Sequence, residues 1–486
     1  MSGNILVIDE GTTSTRAILF DPGGECLGFT QRELTQYYPA AGHVEHDAAE
    51  IWDKTLACLQ EMVERAGGAD RIAALGITNQ RETVVAWDKR TGEPLARAIV
   101  WQDRRTADQC AALRKSGHEA LVQAKTGLLL DPYFSGSKMA WMLENWTDVR
   151  DAGERLALGT VESYLIFRLT GGLHVTDASN ASRTMLMPLD GPGWDSELLA
   201  MFGIPAASLP AIVDCAGVIG ATAPGLLGGS IPICGSAGDQ QAATIGQACL
   251  AMGDTKATFG TGAFVLANSG SIVPRSGHRL LATVLHQIGG KRHYALEGSV
   301  FVAGSLIKWL RDELGILASA AETATLAPTV PGNDGVYLVP ALTGLGAPHW
   351  NPDARGALTG LSFATTRAHI ARAALESMAY MAHDLQSAFA ADRVLWQRLK
   401  IDGGMAVNDW MAQDLADILD IPVERPELVE TTALGAAMLA AVGAGLYPSL
   451  EDAASMRKRV QEFRPAIDPS VRSARLKGWA TALSKI

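Results

Sequence analysis

Two short turns of similar composition lie about half the chain apart, and each joins two apolar segments. The first runs from Asp9 to Arg16 (Asp-Glu-Gly-Thr-Thr-Ser-Thr-Arg), and the second from Thr258 to Gly262 (Thr-Phe-Gly-Thr-Gly). Glycines and hydroxyl residues between strand-like runs are typical of tight hairpins. Glycine lets the backbone come close to a ligand, and hydroxyl and amide N–H groups suit phosphate oxygens. The two turns therefore predict two clamps on one nucleotide in a two-lobed enzyme that transfers a phosphoryl group.

The order of elements around the two turns is also similar. The first part of the chain predicts strands at 4–8, 16–20 and 25–33, a helix at 48–66 that begins after Asp47 and ends at Gly67, and a strand at 72–78. After residue 254 the pattern predicts strands near 255–267, 281–287 and 293–297 and a helix near 299–313. This indicates an α/β chain with a duplicated core, and we place the boundary near residue 245, which gives lobes 1–245 and 246–486.

Composition excludes several classes of protein. The chain has 41 Lys and Arg against 52 Asp and Glu, a net charge of −11, with no long basic run, so nucleic acid is not expected as a partner. Its 6 cysteines are scattered without a Cys-x-x-Cys pair, which favours a reducing cytoplasm. The run Ile5 to Ile8 is too short for a signal peptide, and Leu434 to Leu446 is interrupted by glycines, so neither export nor membrane insertion is expected.

Charged residues at the ends of predicted strands are the first candidates for binding phosphate. The chain contains neither a P-loop motif nor a His-Arg-Asp catalytic loop. Asp9 ends an apolar strand, where a carboxylate that faces a polyphosphate suits a shared magnesium ion, and Arg16 supplies positive charge nearby. The alternative is that both residues only decorate a hairpin. The turn at Gly403-Gly404, which leads into a helix at Asn408, could meet a ligand with its N–H groups or could be purely structural.

A second group of residues suits a small polyol. Asp239 follows an apolar strand and precedes a helix, so it is either an N-cap or a carboxylate that accepts a proton from an attacking hydroxyl. Arg81 and Glu82 follow the strand 72–78, and together they offer donors and acceptors to hydroxyl groups. Trp101 and Tyr133 could cover the carbon backbone of such a ligand, although aromatic residues also fill cores.

Taken together, these segments resemble the FGGY carbohydrate kinases, and among them the members that phosphorylate glycerol. The resemblance covers nearly the whole chain and includes two stretches, 133–143 and 356–376, that look like the signatures of the wider family. The segments that carry it are Asp9 to Arg16, Gly76 to Thr83, Ile99 to Thr106, Asp131 to Lys138, Asn180 to Met185, Ala237 to Gln241, Gly260 to Gly262, Tyr294 to Gly298 and Gly344 to Pro348. The Gln-Arg-Glu-Thr sequence at 80–83 narrows the resemblance to glycerol as substrate.

The resemblance implies an α/β fold of two lobes like those of actin and ribonuclease H, with the active site in the cleft between them. It implies ATP with Mg²⁺ in that cleft, glycerol on the first lobe, glycerol 3-phosphate as product, and a cytoplasmic homodimer or homotetramer. The residues that match glycerol contacts are Arg81, Glu82, Trp101, Tyr133, Asp239, Gln240 and Phe264. Asp239 matches the general base, and lobe closure is expected to exclude water.

The resemblance also implies the nucleotide contacts. Those on the first lobe are Thr12, Thr13, Ser14 and Arg16, those on the second are Thr261 and Gly304, and those at the adenosine end are Gly404 and Asn408. Lys308 stands beside the nucleotide where many members have glutamine, and Asp9 matches the carboxylate near magnesium.

Two departures from the family pattern and two alternatives remain. Glu10 replaces the usual glutamine, so we expect it to point away from the phosphates or to weaken nucleotide binding slightly. Ser230 stands where members inhibited by fructose 1,6-bisphosphate carry arginine, so we expect no such inhibition. One alternative is a family member that acts on another polyol or sugar, such as erythritol or xylulose. The other is an actin-like or chaperone-like ATPase, which should lack a polyol pocket.

Overall fold

The computed structural model describes residues 3–351, 353–427, 430–458 and 460–486 of the chain. The strands of the first half are β1 (Asn4–Glu10), β2 (Ser14–Phe20), β3 (Cys26–Glu33), β4 (Glu45–His46), β5 (Ile72–Asn79), β6 (Val84–Asp88), β7 (Ala98–Ile99), β8 (Leu156–Thr160), β9 (Val175–Asp177), β10 (Ala211–Val213), β11 (Ala216–Ala221) and β12 (Pro232–Gly238). Its helices are α1 (Ala48–Ala66), α2 (Ala107–Lys115), α3 (Glu119–Thr126), α4 (Ser135–Asn145), α5 (Thr147–Arg150), α6 (Val161–Thr170), α7 (Ala178–Ala181), α8 (Ser196–Phe202) and α9 (Asp239–Gly246).

The second half is built from similar elements. Its strands are β13 (Asp254–Phe259), β14 (Ala263–Gly270), β15 (Leu281–Ile288), β16 (Lys291–Val300), β17 (Tyr337–Val339), β18 (Ala357–Thr359), β19 (Arg398–Asp402), β20 (Val423–Pro426) and β21 (Val460–Phe463). Its helices are α10 (Gly304–Asp312), α11 (Glu322–Leu326), α12 (Arg367–Ala391), α13 (Asp409–Leu419), α14 (Thr431–Gly443), α15 (Leu450–Ala453) and α16 (Pro469–Leu483). Short 3₁₀ turns lie at Ala69–Arg71, Gly153–Arg155, Ala206–Ser208, Ala327–Thr329 and Ala454–Met456.

Each half is organised around one mixed sheet with the same central order of strands. The first sheet has the order β11-β12-β5-β1-β2-β3, and the second has the order β15-β16-β14-β13-β19-β20-β21. In both, the first strand in sequence pairs antiparallel with the next strand and parallel with a later one. The central strands β1 and β13 are mostly buried because helices cover both faces of each sheet. The predicted duplicated α/β core is therefore confirmed.

Smaller sheets complete the two halves. In the first half, β4-β7-β6-β8 form a four-stranded sheet and β10-β9 a pair, and in the second half β17-β18 form another pair. In the part of the chain that the structure describes, no helix is both long and apolar enough to cross a membrane.

Local signals set the ends of the first helix. The side chain of Asp47 accepts hydrogen bonds from the N–H groups of Ala49 and Glu50, and Gly67 adopts the left-handed conformation at the end of α1. The helix spans the predicted residues 48–66. In contrast, α10 begins at Gly304 and not near 299, because Ser299 and Val300 continue β16 and pair with β14.

Helix α14, near the end of the sequence, packs on the sheet of the first half. Its alanines Ala436 and Ala440 are fully buried in a core that also contains Ile5 and Val7 of β1. Small side chains allow the close approach of this helix to the sheet. The glycine-interrupted apolar run noted in the sequence is thus a buried helix that joins the two halves.

Candidate active site

One cavity of about 280 Å³ at the junction of the two halves collects the residues expected to bind a small polyol. Its walls are Thr12, Arg81, Glu82, Trp101, Tyr133, Asp239, Gln240 and Phe264. All seven residues predicted for the polyol are among them, and the eighth, Thr12, belongs to the first glycine and hydroxyl turn. The charged, amide and aromatic side chains of this wall suit a small polyol.

Arg81 and Glu82 lie in the turn that follows β5, and both side chains are buried. The backbone of Glu82 has φ of 62°, an unfavourable conformation for a residue with a side chain. Such strain is characteristic of functional sites, where the surrounding structure holds it in place. It directs the Glu82 carboxylate into the cavity wall, where Oε1 accepts a hydrogen bond of 2.7 Å from Nε of Arg183.

A buried ion network lies directly behind the cavity. Glu297 of β16 accepts hydrogen bonds from Arg81 Nη1 at 2.6 Å and Nη2 at 3.2 Å, and from Arg183 Nη2 at 3.0 Å. Burial tends to raise the pKa of the Glu297 carboxyl, but the two guanidinium groups of Arg183 and Arg81 outweigh this and lower it to about 2. Burial raises the pKa of Glu82 despite the same two arginines. Glu297 is therefore the firmly ionised partner in this network.

Asp239 is the partly exposed carboxylate of the cavity. It is the first residue of α9, not the N-cap, which is Gly238. Its side chain is 34% exposed, and Oδ1 lies 3.3 Å from Nε of Arg81. The absence of a side chain at Gly238 is required here, because a Cβ would lie 2.7 Å from Cγ of Arg81.

Gln240, the next residue, is held from the second half of the chain. Nζ of the buried Lys256 donates a hydrogen bond of 2.6 Å to Oε1 of Gln240. Burial lowers the pKa of Lys256, while the carboxylates of Asp402 and Asp239 oppose this effect. The Gln240 side chain thus has a fixed partner on one side and the cavity on the other.

Three aromatic rings form the apolar part of the wall. The ring centroids of Trp101 and Tyr133 are 5.7 Å apart, and those of Trp101 and Phe264 are 6.5 Å apart, both with edge-on geometry. Phe264 lies in β14 just after the second glycine turn, whereas Thr12 lies in the first turn. Thr12 of the first turn and Phe264, which follows the second, therefore line the same cavity.

The other nucleotide candidates of the first turn lie beside the cavity. Thr13 is exposed, Ser14 begins β2, and the N–H of Gly11 donates to the carbonyl oxygen of Ser14 at 3.0 Å, which closes the turn. Nη1 of Arg16 donates to Glu430 at 2.7 Å, so this guanidinium links the turn to the start of α14.

Asp9, the residue predicted to lie near magnesium, is a carboxylate beside the first glycine turn. It lies next to the turn near the end of β1 and is buried. Burial raises its pKa to about 6, and Arg16, whose Nε is 3.8 Å from Oδ2, only partly opposes this effect. Among the described residues, no group of three or more His, Cys, Asp or Glu side chains could hold a metal ion alone.

Glu10 points away from the turn, which is the first of the two alternatives expected from the sequence. Its side chain is fully buried and accepts a hydrogen bond of 2.9 Å from Oγ1 of Thr55 in α1. Burial raises its pKa to about 8, so the carboxyl is protonated at neutral pH. Glu10 therefore places no negative charge beside the first turn at neutral pH.

The candidates of the second half lie at the second glycine turn and along α10. The carbonyl oxygen of Thr261 accepts from the N–H groups of Ala303 at 2.9 Å and Ser305 at 3.1 Å, and the N–H of Gly304 donates to Gly260 at 2.8 Å. These bonds attach the start of α10 to the second glycine turn. Lys308 is exposed one turn further along α10.

Gly404 and Asn408, expected at the adenosine end, are not part of the polyol cavity. Both lie between β19 and α13, and a Cβ on Gly404 would face open space. Oδ1 of Asn408 caps α13 by accepting from the N–H of Met411 at 3.2 Å, and its Nδ2 donates to Thr323 at 3.3 Å. Asn408 thus has a structural role as the cap of α13, and its contact with the nucleotide stays a prediction.

The sequence interpretation missed Arg183, Lys256 and Glu297 as members of this site. Each of these charged residues is fully buried. A charge inside an apolar strand requires a buried partner, and this signal is visible for Lys256 and Glu297. The identity of the partner could not be found in this way, because Arg81 and Glu297 are 216 residues apart.

Comparison with known proteins agrees with this geometry. Residues 4–246 match the FGGY family of carbohydrate kinases, N-terminal domain, and residues 255–444 match the C-terminal domain of the same family. The chain is 52% identical to a glycerol kinase of Rhodospirillum centenum over 99% of this chain and 97% of that protein. It is 53% identical to a glycerol kinase of Methylobacterium nodulans, covering 99% of this chain and 98% of the relative.

A solved structure gives the same result for the fold. The crystal structure of Plasmodium falciparum glycerol kinase with ADP superposes with a TM-score of 0.95 at 33% sequence identity, covering 100% of this chain and 98% of that chain. The expected two-lobed α/β fold is therefore confirmed.

Proposed function

The chain belongs to the FGGY family of carbohydrate kinases, and from this premise we propose that it transfers the terminal phosphoryl group of ATP to glycerol, giving sn-glycerol 3-phosphate. The observation that carries the proposal is the cavity in which seven polyol-binding candidates meet a residue of the phosphate turn. Its relatives that share about half of their residues with it are named glycerol kinases.

The cavity offers glycerol both hydrogen-bonding and apolar contacts. The carboxylates of Glu82 and Asp239 accept hydrogen bonds from its hydroxyl groups, and Arg81 and Gln240 donate to their oxygens. Trp101 and Phe264 pack on the carbon edge, and Tyr133 adds a hydroxyl contact. We infer that Arg81, Glu82 and Trp101 together favour a three-carbon polyol.

Asp239 acts as the general base in this proposal. Its carboxylate accepts the proton from the terminal hydroxyl of glycerol, while the oxygen of that hydroxyl forms a bond to the γ-phosphorus of ATP. The bond from that phosphorus to the bridging oxygen breaks, and ADP leaves with the electron pair. Its partial exposure to the cavity keeps this carboxylate within reach of the substrate.

The two glycine turns bind the phosphates. Thr12, Thr13, Ser14 and Arg16 contact them from the first lobe, and Thr261 and Gly304 contact them from the second. Lys308, Gly404 and Asn408 lie towards the adenosine end. ADP in the related Plasmodium falciparum structure supports the use of an adenine nucleotide.

Asp9 is the residue that would hold Mg²⁺. A single buried carboxylate with a raised pKa fits an ion that takes most of its ligands from nucleotide phosphates and water. When bound, the ion supplies charge neutralisation for the phosphates during transfer. The remaining work is positioning, and closure of the lobes keeps water away from the phosphoryl group.

The organisation of the whole protein is part of the same proposal. We divide the chain into an N-terminal lobe, 1–245, and a C-terminal lobe, 246–486, with α14 packing back on the first. We expect a cytoplasmic protein, because its 6 cysteines are free and its nucleotide substrate is intracellular. The resemblance to the family implies a homodimer or homotetramer. Light scattering after size exclusion measures the oligomeric state.

An assay of ADP release tests the function. Purified protein with ATP and magnesium is given glycerol, erythritol, xylulose or no acceptor, as wild type, Asp239→Asn and the control Asp108→Asn, an exposed carboxylate in the first turn of α2. We expect turnover with glycerol that falls by about 100- to 10,000-fold in Asp239→Asn and is unchanged in the control. Faster turnover with another acceptor, or equal ADP release without one, would overturn the proposal.

A further inference from the structure

Two charged side chains of the second sheet point to the glycerol cavity from behind. In the strand register, Lys256 of β13 pairs with Leu266 of β14, and Leu266 pairs with Glu297 of β16. Directly paired residues project on the same face of a sheet. Phe264, which lines the cavity, is two residues from Leu266 and therefore shares this face. Lys256 and Glu297 thus flank the strand that contributes the cavity wall.

Glu297 fixes the guanidinium of Arg81. It contacts both terminal nitrogens of Arg81, at 2.6 and 3.2 Å, which is the two-point geometry that defines the plane of an arginine side chain. A third bond of 3.0 Å to Arg183 ties Glu297 to the residue that also holds Glu82. Arg81, the donor to glycerol, and Glu82, the acceptor, are therefore both oriented through Glu297.

Lys256 fixes the orientation of the Gln240 amide. An ammonium group only donates hydrogen bonds, so the atom of Gln240 that faces Nζ of Lys256 must be the oxygen. This leaves the Nε2 amino group free to point to the cavity as a donor. Without Lys256, the amide could rotate and present an acceptor in place of a donor.

Resting on the proposed function, we propose that Glu297 and Lys256 are positioning residues for glycerol: Glu297 acts through Arg81, and Lys256 acts through Gln240, to present two N–H donors to the hydroxyl oxygens of the substrate. Neither residue lines the cavity. The acceptors and the base come from the first half of the chain, and the orientation of the donors comes from the second sheet. Recognition of glycerol is therefore completed only where the two sheets meet.

Kinetics of two variants test this inference. Glu297→Gln keeps the shape but removes the charge that holds Arg81, and Lys256→Met keeps the length but removes the donor to Gln240. We expect the KM for glycerol to rise by about 10- to 100-fold in each, because each donor is bound through a charged group. The KM for ATP should change less than about 2-fold, because the phosphate turns are untouched.

Matched controls separate positioning from loss of stability. Glu376→Gln removes another buried carboxylate that is held by two arginines, Arg372 and Arg475, outside the cavity. Lys400→Met removes a buried lysine on the neighbouring strand, whose Nζ donates to the carbonyl oxygen of Ala248. Both should lower the melting temperature without changing the KM for glycerol.

Discrimination between substrates gives a readout that a structural role would not move. For each protein, kcat/KM is measured for glycerol, propane-1,2-diol and propane-1,3-diol, which each lack one hydroxyl. The preference for glycerol over the better diol should fall by about 10-fold in Glu297→Gln and Lys256→Met and stay constant in the controls. Where Glu297→Gln does not fold, as judged by circular dichroism, Lys256→Met alone decides.

The outcomes are distinguishable from failure of the proposed function. If wild type releases no ADP in response to glycerol, the function itself is wrong. If wild type is active on glycerol but the variants alter its KM and its preference over the diols no more than the controls do, the positioning inference is wrong.

Discussion

The indole N–H of Trp101 donates a hydrogen bond of 2.9 Å to the hydroxyl of Thr12, which joins the wall of the polyol cavity to the phosphate-binding turn. The backbone N–H of Trp101 also donates to Thr83 at 3.1 Å, so the residue is fixed at both ends. Movement of the turn when a nucleotide binds must therefore move, or be resisted by, the ring that packs on the polyol. The polyol cavity and the phosphate-binding turn therefore share the side chain of Trp101.

Trp101→Phe tests this connection because it keeps an aromatic ring and removes the bond to Thr12. We expect the KM for glycerol and the KM for ATP to rise together, each by about 3- to 10-fold, since a neutral hydrogen bond contributes about 1 kcal/mol. Steady-state kinetics with each substrate varied in turn measure both values. Trp141→Phe, which alters a ring that contacts Trp146 outside the cavity, is the control. An unchanged KM for ATP would contradict the connection.

Gly304→Ala probes the contact between α10 and the second turn. A Cβ at this position would lie 2.6 Å from the carbonyl oxygen of Gly260, so the turn must shift. We expect the KM for ATP to rise by about 10-fold or more while the KM for glycerol changes little, because the phosphate contact is displaced. Gly225→Ala places a methyl group where no atom lies within 4 Å and should leave both values unchanged. If Gly304→Ala and Gly225→Ala had the same KM for ATP, a role for Gly304 in binding the phosphates would be refuted.

Glu10→Gln should stabilise the protein more at high pH than at low pH. Burial raises the pKa of Glu10 from its ordinary value of 4.5 to about 8, so between these values the folded state keeps a proton that the unfolded state has lost. Stability of the wild type therefore decreases as pH rises through this range. Glutamine has no proton to lose, so the gain should be small near about pH 5 and reach on the order of a few kcal/mol near about pH 9.

Urea denaturation at several pH values measures this gain. Glu25→Gln, at an exposed position of the turn before β3, is the control and should show no dependence on pH. A gain for Glu10→Gln that is the same at all pH values would show that this carboxyl is not protonated in the folded state.

Fructose 1,6-bisphosphate should not inhibit this enzyme. Ser230 stands where inhibited members carry arginine, and its hydroxyl is already engaged with the carbonyl oxygen of Thr222 at 3.0 Å. A bisphosphate needs cationic partners that this loop does not supply. Activity with glycerol, measured across a titration of the sugar bisphosphate, is expected to stay constant within about 2-fold. Strong saturable inhibition would show that another cationic site exists.

Elements with local signals were predicted well from the sequence. Helix α1 has its predicted ends because Asp47 and Gly67 cap it through contacts with adjacent residues. The start of α10 was predicted too early because the residues near 299 can extend β16 only by pairing with β14, a contact between distant parts of the chain. Local patterns carry no information about such pairing.

The residues of the cavity also depend on contacts between distant parts of the chain. Asp239, Arg81, Glu82, Trp101 and Tyr133 were candidates from their residue types and their places beside predicted elements. The resemblance to a family added Gln240 and Phe264 and supplied the long-range relation among all seven. The supporting charges of Lys256 and Glu297 were not found, because they touch no expected substrate atom. Their positions depend on the register of three neighbouring strands, which only the structure gives.

The packing of α14 on the first sheet has a consequence for the order of events during synthesis. Ile5 and Val7 share a core with Met438 and Leu439, so this face of the N-terminal sheet stays bare until the C-terminal helix has left the ribosome. Translation of residues 247–443 at ~5–20 residues per second takes roughly 10 to 40 s. During that interval the nascent chain carries an uncovered apolar surface, so the protein cannot mature one lobe at a time.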